Sequence, residues 1–180
     1  MTSTTDSPDL RYPIGRFVRQ TAFDDTWRNG AIATISATPA KLRAAVAGLT
    51  DAQLDTPYRP GGWTVRQLVH HVADSHMNAY VRTRLALTED NPPIKPYDEA
   101  KWAELADAKS MPIDGSLAII GALHARWVHL LRSLKAAEFS RTMFHPEHGE
   151  LRIDGLLNIY EWHGPHHTAH VTELRRRSGW

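Results

Sequence analysis

Histidines are concentrated near the C-terminus, in a stretch whose spacing suits metal binding. Four of the eleven histidines of the chain fall within the short segment 163–170. On a helix, His163 and His167 are four residues apart, as are His166 and His170, so each pair shares a face with Cβ atoms about 5–6 Å apart. Either pair can therefore supply two imidazole ligands to one ion.

A third ligand must come from another segment of the chain. His163 and His170 are separated by roughly 10 Å of helical rise, whereas each metal–nitrogen bond is only about 2.1 Å long. The one comparable cluster lies much earlier in the chain and contains His70, His71 and His76. We therefore expect two helices to bring the two clusters together around a divalent cation.

The composition limits the ligands and partners that the chain can use. It has 180 residues, no cysteine, and 21 basic against 20 acidic side chains, which gives a net charge of +1. A chain of this length can bury a full core, and without cysteine any ion must be held by histidine and carboxylate. A nearly neutral chain lacks the field that attracts nucleic acid or an anionic membrane. Because neither a signal peptide nor a membrane-spanning run is visible, the sequence predicts a cytoplasmic protein.

Hydrophobic spacing predicts a helical domain behind an irregular arm. Prolines, glycine and polar residues indicate an N-terminal arm over 1–22, followed by a helical domain over 23–180. Four long amphipathic helices and one short helix are expected in that domain. The long helices are predicted over 24–47, 64–88, 116–136 and 155–178, and the short one over 98–106.

Local signals define several helix ends. Thr64 and Gln67 have the spacing of a capping box at the start of the second long helix. Asp154 is expected to cap the last long helix, which should open near Pro165 and stop at Gly179. Pro39 is likewise expected to bend the first long helix. The segment 141–153 is typical of either a short hairpin or an extended loop.

Helix phase gives each histidine an expected environment. On the second long helix, His76 falls near the centre of the apolar stripe, whereas His71 lies nearer its edge and His70 on the other side. Periodicity alone therefore favours His76 as the buried histidine. His124 and His129 are five residues apart, which makes them poor co-ligands and indicates surface or packing residues. The tryptophans are expected to be core aromatics rather than substrate-stacking groups, namely Trp63, Trp102, Trp127 and Trp162.

Several phrases of the sequence resemble one family in particular. They are Arg11-Tyr-Pro-Ile-Gly15, Asp55-Thr-Pro-Tyr-Arg59, Gly61-Gly-Trp-Thr-Val-Arg-Gln67, His70-His-Val-Ala-Asp-Ser-His-Met-Asn78, Pro96-Tyr-Asp-Glu99 and Trp162-His-Gly-Pro-His-His-Thr-Ala-His170. Together with the four long helices, these phrases resemble the YfiT family of metal-dependent hydrolases in the DinB-like superfamily. The resemblance covers nearly the full chain. The same family includes thiol transferases that join bacillithiol to electrophiles.

The resemblance implies an all-α four-helix bundle of unusual connectivity, a homodimer, and one divalent ion held by three histidines. Carried over by position, the ligands are His71, the second histidine of its phrase, then His163 after the tryptophan, and His167 four residues further on. This assignment overrides the helix-phase preference for His76, since an open catalytic ion can lie at the edge of a bundle. The remaining histidines of the two clusters then support or pack around the ligands.

Three neutral imidazoles leave coordination positions open, which is the arrangement of catalytic zinc. Zinc is the expected ion, and nickel also suits imidazole ligands. Such an ion can activate water for hydrolysis of a small molecule or deprotonate a thiol, so bacillithiol S-transfer is the alternative activity. A metal-binding bundle without enzymatic activity is the third hypothesis. Asp74 and Glu161 are the candidate catalytic carboxylates, although a solvated helix position suits each of them equally well.

Overall fold

Four long helices form the frame of the molecule, as the sequence predicts. The computed structural model describes residues 9–147 and 149–180, and the main element outside the helices is one small hairpin. In chain order the helices and strands are α1 (Asp25–Val46), α2 (Asp51–Leu54), α3 (Val65–Thr88), α4 (Glu99–Ala103), α5 (Ala106–Ser110), α6 (Asp114–Ser133), a 3₁₀ turn (Ala136–Ser140), β1 (Thr142–His145), β2 (Gly149–Arg152) and α7 (Ile153–Ser178). The two strands are antiparallel, so of the two alternatives for 141–153 the structure has the short hairpin.

The long helices do not pack in their order along the chain. Both α1 and α3 pack against α6 and against α7. The two helices that come first in sequence therefore lie diagonally across the bundle, whereas a simple up-and-down bundle places consecutive helices side by side. Residues before α1 lie along α7, where the Gln20 amide donates to Asn158 Oδ1 at 2.9 Å and Trp162 Nε1 donates to the Gly15 carbonyl at 3.3 Å.

Side-chain caps start the first two long helices, and the second of these caps is the one that the sequence predicts. The amide of Gln67 donates to Thr64 Oγ1 at 3.1 Å, and the amide of Thr64 donates to Gln67 Oε1 at 3.0 Å. The predicted capping box is thus confirmed. At α1, Asp24 is the cap, with its Oδ1 accepting from the Trp27 amide at 2.7 Å. These local bonds satisfy amides that a helix start otherwise leaves without partners.

Two predictions about the last helix are wrong. Its cap is Arg152 rather than Asp154, because Asp154 is drawn into the first turn, where it is buried and forms an ion pair with Arg28. The helix also continues through Pro165 without a break. An interior proline costs about 3 kcal/mol, and the packing of α7 on both sides of Pro165 outweighs this cost. The predicted end is confirmed, since Gly179 has the left-handed φ of 70°.

A layer of histidines separates two apolar clusters in the core. One cluster contains Tyr160 of α7 and Ala79 of α3, and the other contains Val171 of α7 and Ala73 of α3. The histidines of α7 lie between these positions, and so does His76 on α3. Polar rings therefore cross the bundle between the two apolar clusters, whose packing on either side holds α3, α6 and α7 in place.

Gly164, next to the histidine layer, lets α7 approach α1 closely. A Cβ atom at this position would lie 2.6 Å from Thr38 Oγ1 and 2.7 Å from Thr38 Cγ2. We therefore expect Gly164→Ala to lower the free energy of unfolding by about 1–3 kcal/mol, measured by urea denaturation. Thr38→Ala in the same chain should recover part of the loss.

The matched control is Gly121→Ala on α6, where a Cβ meets nothing within 4 Å and helix propensity predicts a gain of about 0.5–1 kcal/mol. Equal losses at both glycines would contradict the close-approach argument.

Candidate metal centre

Helices α3 and α7 bring His71, His163 and His167 together. His163 and His167 lie one turn apart on α7, with ring centroids 4.5 Å apart. His71 faces them from α3, with its Nε2 atom 3.3 Å from Nε2 of His163. One ring nitrogen from each of the three residues lies within 4.8 Å of the other two. The two histidine clusters of the sequence therefore meet in the fold, and the three residues named by the resemblance face one another.

The spacing of His71 and His163 suits a divalent cation, and the protonation of all three rings suits it as well. Ligand atoms about 2.1 Å from a tetrahedral ion are about 3.4 Å apart, close to the 3.3 Å between the Nε2 atoms of His71 and His163. Burial lowers the pKa of His71 to about 4 and lowers the pKa values of His163 and His167 well below 6.5. The imidazoles are therefore neutral at pH 7, which is the form that binds metal.

A second set of histidines shares His167 with the first. One ring nitrogen from each of His166, His167 and His170 also lies within 4.8 Å of the others. Within the part of the chain that the structure describes, the Nδ1 atoms of all three are buried without a hydrogen-bond partner. Because His71 and His163 belong to the first set alone, mutation of either residue distinguishes the two sets.

The first set opens on a cavity of about 440 Å³. This volume lies within the range of about 300–1,000 Å³ that small-molecule sites occupy. The described residues that line it come from the turn before α3, from α3 and α7, and from the start of α4. They are Tyr58, Arg59, Gly61, Gly62, Trp63, His71, Glu99, Trp162, His163, His166 and His167. An ion held by the first set would thus be reached from this cavity.

The histidines outside the first set have separate environments. His70 turns away from the cavity, with its Nδ1 atom 2.8 Å from Ser116 Oγ and its Nε2 atom 3.2 Å from the Met111 carbonyl oxygen. His76 is fully buried, as its helix phase predicts, and its Nε2 atom lies 3.1 Å from Nδ1 of His163.

The prediction that His124 and His129 are surface or packing residues misses the role of one of them. His129 is exposed. His124 is buried, and both of its ring nitrogens make hydrogen bonds, to His76 and to the Ile35 carbonyl. The five-residue spacing therefore excludes a shared ion but says nothing about bonds to other helices.

Among the described residues that line the cavity, the acidic one is Glu99, and neither of the two carboxylates named from the sequence is there. Asp74 and Glu161 are half-buried on α3 and α7, and neither is among the described residues that line the cavity. Loss of solvation raises the pKa of the Glu99 carboxyl, while Arg82 lowers it. Glu99 is the first residue of α4, after a proline-rich segment. The phrase Pro96-Tyr-Asp-Glu99 indicates this residue in the sequence, but no spacing rule predicts that α4 lies near the histidines.

The prediction that the tryptophans are core residues is correct for Trp127 and in part for Trp63, which is partly buried and packs against the second apolar cluster. Trp127 is 1% exposed, whereas Trp102 is 36% exposed. Trp63 and Trp162 line the cavity and contact histidines there. The ring centroid of Trp63 lies 4.7 Å from that of His71, and Trp162 stacks on His166 at 4.0 Å. These two indoles limit the rotation of the rings beside the cavity.

The fold is a four-helix bundle in which α1 and α3 lie diagonally. The three neutral histidines at its cavity make this a helical protein with a site suited to a divalent cation. The profile of the DinB superfamily matches residues 34–171, and the chain belongs to that superfamily. It is 53% identical over 172 residues to proteins of Bacillus cereus (strain 03BB102) and Bacillus mycoides (strain KBAB4), each named "putative metal-dependent hydrolase". Each alignment covers 96% of this chain and 99% of the relative.

Two solved structures have the same fold. YfiT from Bacillus subtilis, described as a probable metal-dependent hydrolase with an unusual four-helix bundle topology, superposes with a TM-score of 0.92 at 49% identity. That match covers 95% of this chain and 98% of YfiT. TT2238, described as a four-helix bundle protein, superposes with a TM-score of 0.56 at 20% identity over 85% of this chain and 99% of TT2238. The second match supports the fold alone.

Among the described helices, none combines the length and the apolar character that crossing a membrane requires. The homodimer, the cytoplasmic location and the division into an arm and a helical domain stay predictions.

Proposed function

We propose that this protein is a metal-dependent hydrolase of small molecules whose divalent cation, zinc or nickel, is held by His71, His163 and His167. One observation carries the proposal. The Nε2 atoms of His71 and His163 lie 3.3 Å apart at the wall of a cavity of about 440 Å³. The ligands come from two helices that the apolar core already fixes, so the site is preformed, and the cavity leaves room for substrate beside the ligands.

The side chains around the cavity have complementary roles in this proposal. A divalent cation in such a site lowers the pKa of bound water from 15.7 to about 7. Glu99 lines the same cavity, and a carboxylate with a raised pKa is suited to accept the proton that the nucleophile releases. Arg59 supplies a guanidinium group at the wall, which suits a negatively charged part of a substrate. Trp63, packed on His71, holds that ring in its orientation.

A small thiol such as bacillithiol is the second candidate nucleophile, which would make the protein a thiol S-transferase. The volume of the cavity and the position of Arg59 favour this alternative, because they leave room and positive charge for a thiol that carries an anionic group. The same three histidines and Glu99 serve both reactions. The two activities therefore differ in the second substrate rather than in the metal ligands.

Metal removal tests the enzymatic proposal against a purely structural ion. Zinc-loaded and nickel-loaded protein should hold one cation per chain and turn over a member of a panel of small esters, amides and electrophiles, the last with and without bacillithiol. Chelation should abolish turnover and leave the helical circular dichroism spectrum unchanged, because apolar clusters lie on both sides of the histidine layer. A ligand at 100 times its Kd adds only about 2.7 kcal/mol to stability.

The control variant is Glu99→Gln, which should retain one cation per chain and lose turnover. A protein that binds no stoichiometric metal would contradict the proposal. So would one that unfolds on chelation and turns over none of these substrates, which is the behaviour of an ion that only joins α3 to α7.

A further inference from the structure

Two buried histidines, His76 and His124, and the half-buried His163 form a continuous line of hydrogen bonds that ends on the backbone of α1. From the cavity inwards, Nδ1 of His163 lies 3.1 Å from Nε2 of His76. Nδ1 of His76 then lies 2.7 Å from Nε2 of His124, and Nδ1 of His124 lies 2.8 Å from the carbonyl oxygen of Ile35. The line joins α7, α3, α6 and α1, so every long helix of the bundle contributes one member.

The Ile35 carbonyl at the end of this line can accept a hydrogen bond from His124 because a proline follows it in α1. In an α-helix the carbonyl of Ile35 accepts a hydrogen bond from the amide four residues later. That residue is Pro39, which lies inside α1 and has no N–H group. The freed carbonyl is buried in the bundle, where an acceptor without a donor is costly. The Nδ1–H group of His124 supplies that donor.

The carbonyl fixes the direction of the whole line, because an oxygen of this kind can only accept. His124 must carry its proton on Nδ1, which leaves its Nε2 atom as an acceptor when the ring is neutral. His76 must then donate from Nδ1 and accept at Nε2. His163 must donate from Nδ1, and its Nε2 atom is left with a lone pair that faces Nε2 of His71, 3.3 Å away. The reverse order would place a ring lone pair against the Ile35 oxygen.

We propose that His76 and His124 are positioning residues, and that their hydrogen bonds to the Ile35 carbonyl hold His163 in the one tautomer that can bind a cation through Nε2. The inference rests on the proposed function for its metal, but the tautomers belong to the protein alone. The line ends at a backbone carbonyl that cannot pass a proton on. Its effect is therefore to fix the orientation and tautomer of His163, as partners behind metal-binding histidines do in general.

The test has one arm without metal and one with it. Full-length metal-free protein labelled with ¹⁵N in its histidine rings should show His163, His76 and His124 all protonated on Nδ1. His76→Phe and His124→Phe should then weaken zinc affinity by about 10–100-fold, with the NMR signals of His163 in His76→Phe showing a mixture of tautomers. Ile120→Ala is the control for core damage, because Ile120 is fully buried one turn before His124 on α6. It should lose stability and keep both the zinc affinity and the tautomer.

Finding His163 protonated on Nε2 in the wild-type protein would overturn the proposal. This measurement does not depend on whether any variant folds. Unchanged zinc affinity in a folded His124→Phe protein would overturn it as well. A third outcome is a wild-type protein that has the expected tautomers but binds no zinc. That result would support the direction of the hydrogen bonds and would overturn the proposed function.

Discussion

Replacing His71 by alanine is expected to weaken zinc affinity by more than about 100-fold, since loss of a partner behind a ligand already costs about 10–100-fold. His71 is the single ligand that α3 contributes to the first set. Its Nε2 atom lies 3.3 Å from Nε2 of His163, and its removal leaves two ligands on one helix. Isothermal titration calorimetry with zinc measures the change, and turnover should fall with the bound metal.

The adjacent residue supplies the matched control. His70 is buried like His71, but its ring contacts Ser116 and the Met111 carbonyl on the far side of α3. His70→Ala should therefore keep its zinc affinity and lose about 1–3 kcal/mol of stability, because the partners of the ring are left unsatisfied. Equal loss of zinc in both variants would mean that α3 had been damaged. Zinc retained by His71→Ala and lost by His170→Ala would assign the ion to the second set.

Sequence reasoning succeeds here where the signal is local. The four-residue spacing of His163 and His167 places both rings on one face of α7 whatever the rest of the chain does. The capping box of Thr64 and Gln67 is likewise local, because the two residues are only three positions apart in the sequence. The third ligand is different, because helix phase favoured His76, and His71 was named through the resemblance. Both statements describe the fold, since His76 is the more deeply buried ring and His71 the one that faces the cavity.

The parts that could not be predicted depend on contacts between distant segments. His124 bonds a carbonyl 89 residues earlier, and a periodicity analysis that treats one helix at a time cannot see such a partner. Pro39 was the available signal. Besides the bend in α1 that it predicts, a proline at this position leaves the carbonyl of Ile35 without its helical donor. Glu99 reaches the cavity through α4, whose position depends on packing such as the 2.7 Å bond from Gln67 Nε2 to the Ala103 carbonyl.

The largest loss of stability outside the metal site is expected at Asp154. Its carboxylate receives two hydrogen bonds from the Arg28 guanidinium, from Nε and Nη2, each of 2.8 Å. The side chains of Asp154 and Arg28 are 3% and 11% exposed, so the pair is shielded from water. Asp154→Ala leaves the buried guanidinium without this partner, which costs about 3–5 kcal/mol. Urea denaturation of the metal-free protein measures the loss. Because the pair ties the start of α1 to the start of α7, the variant should still bind zinc while it remains folded.

The same guanidinium provides the control. Its Nη1 atom contacts Asp25 at 2.8 Å, but the Asp25 side chain is 78% exposed. Water screens an exposed pair, so Asp25→Ala should cost less than about 1 kcal/mol. Replacing both buried partners, as in Arg28→Met with Asp154→Leu, removes the charges together and should recover most of the stability lost by Asp154→Ala. Equal losses in Asp25→Ala and Asp154→Ala would show that desolvation does not distinguish the two contacts. The ion pair would then contribute no more than a surface interaction does, and the apolar clusters would account for the position of the helix that carries His163 and His167.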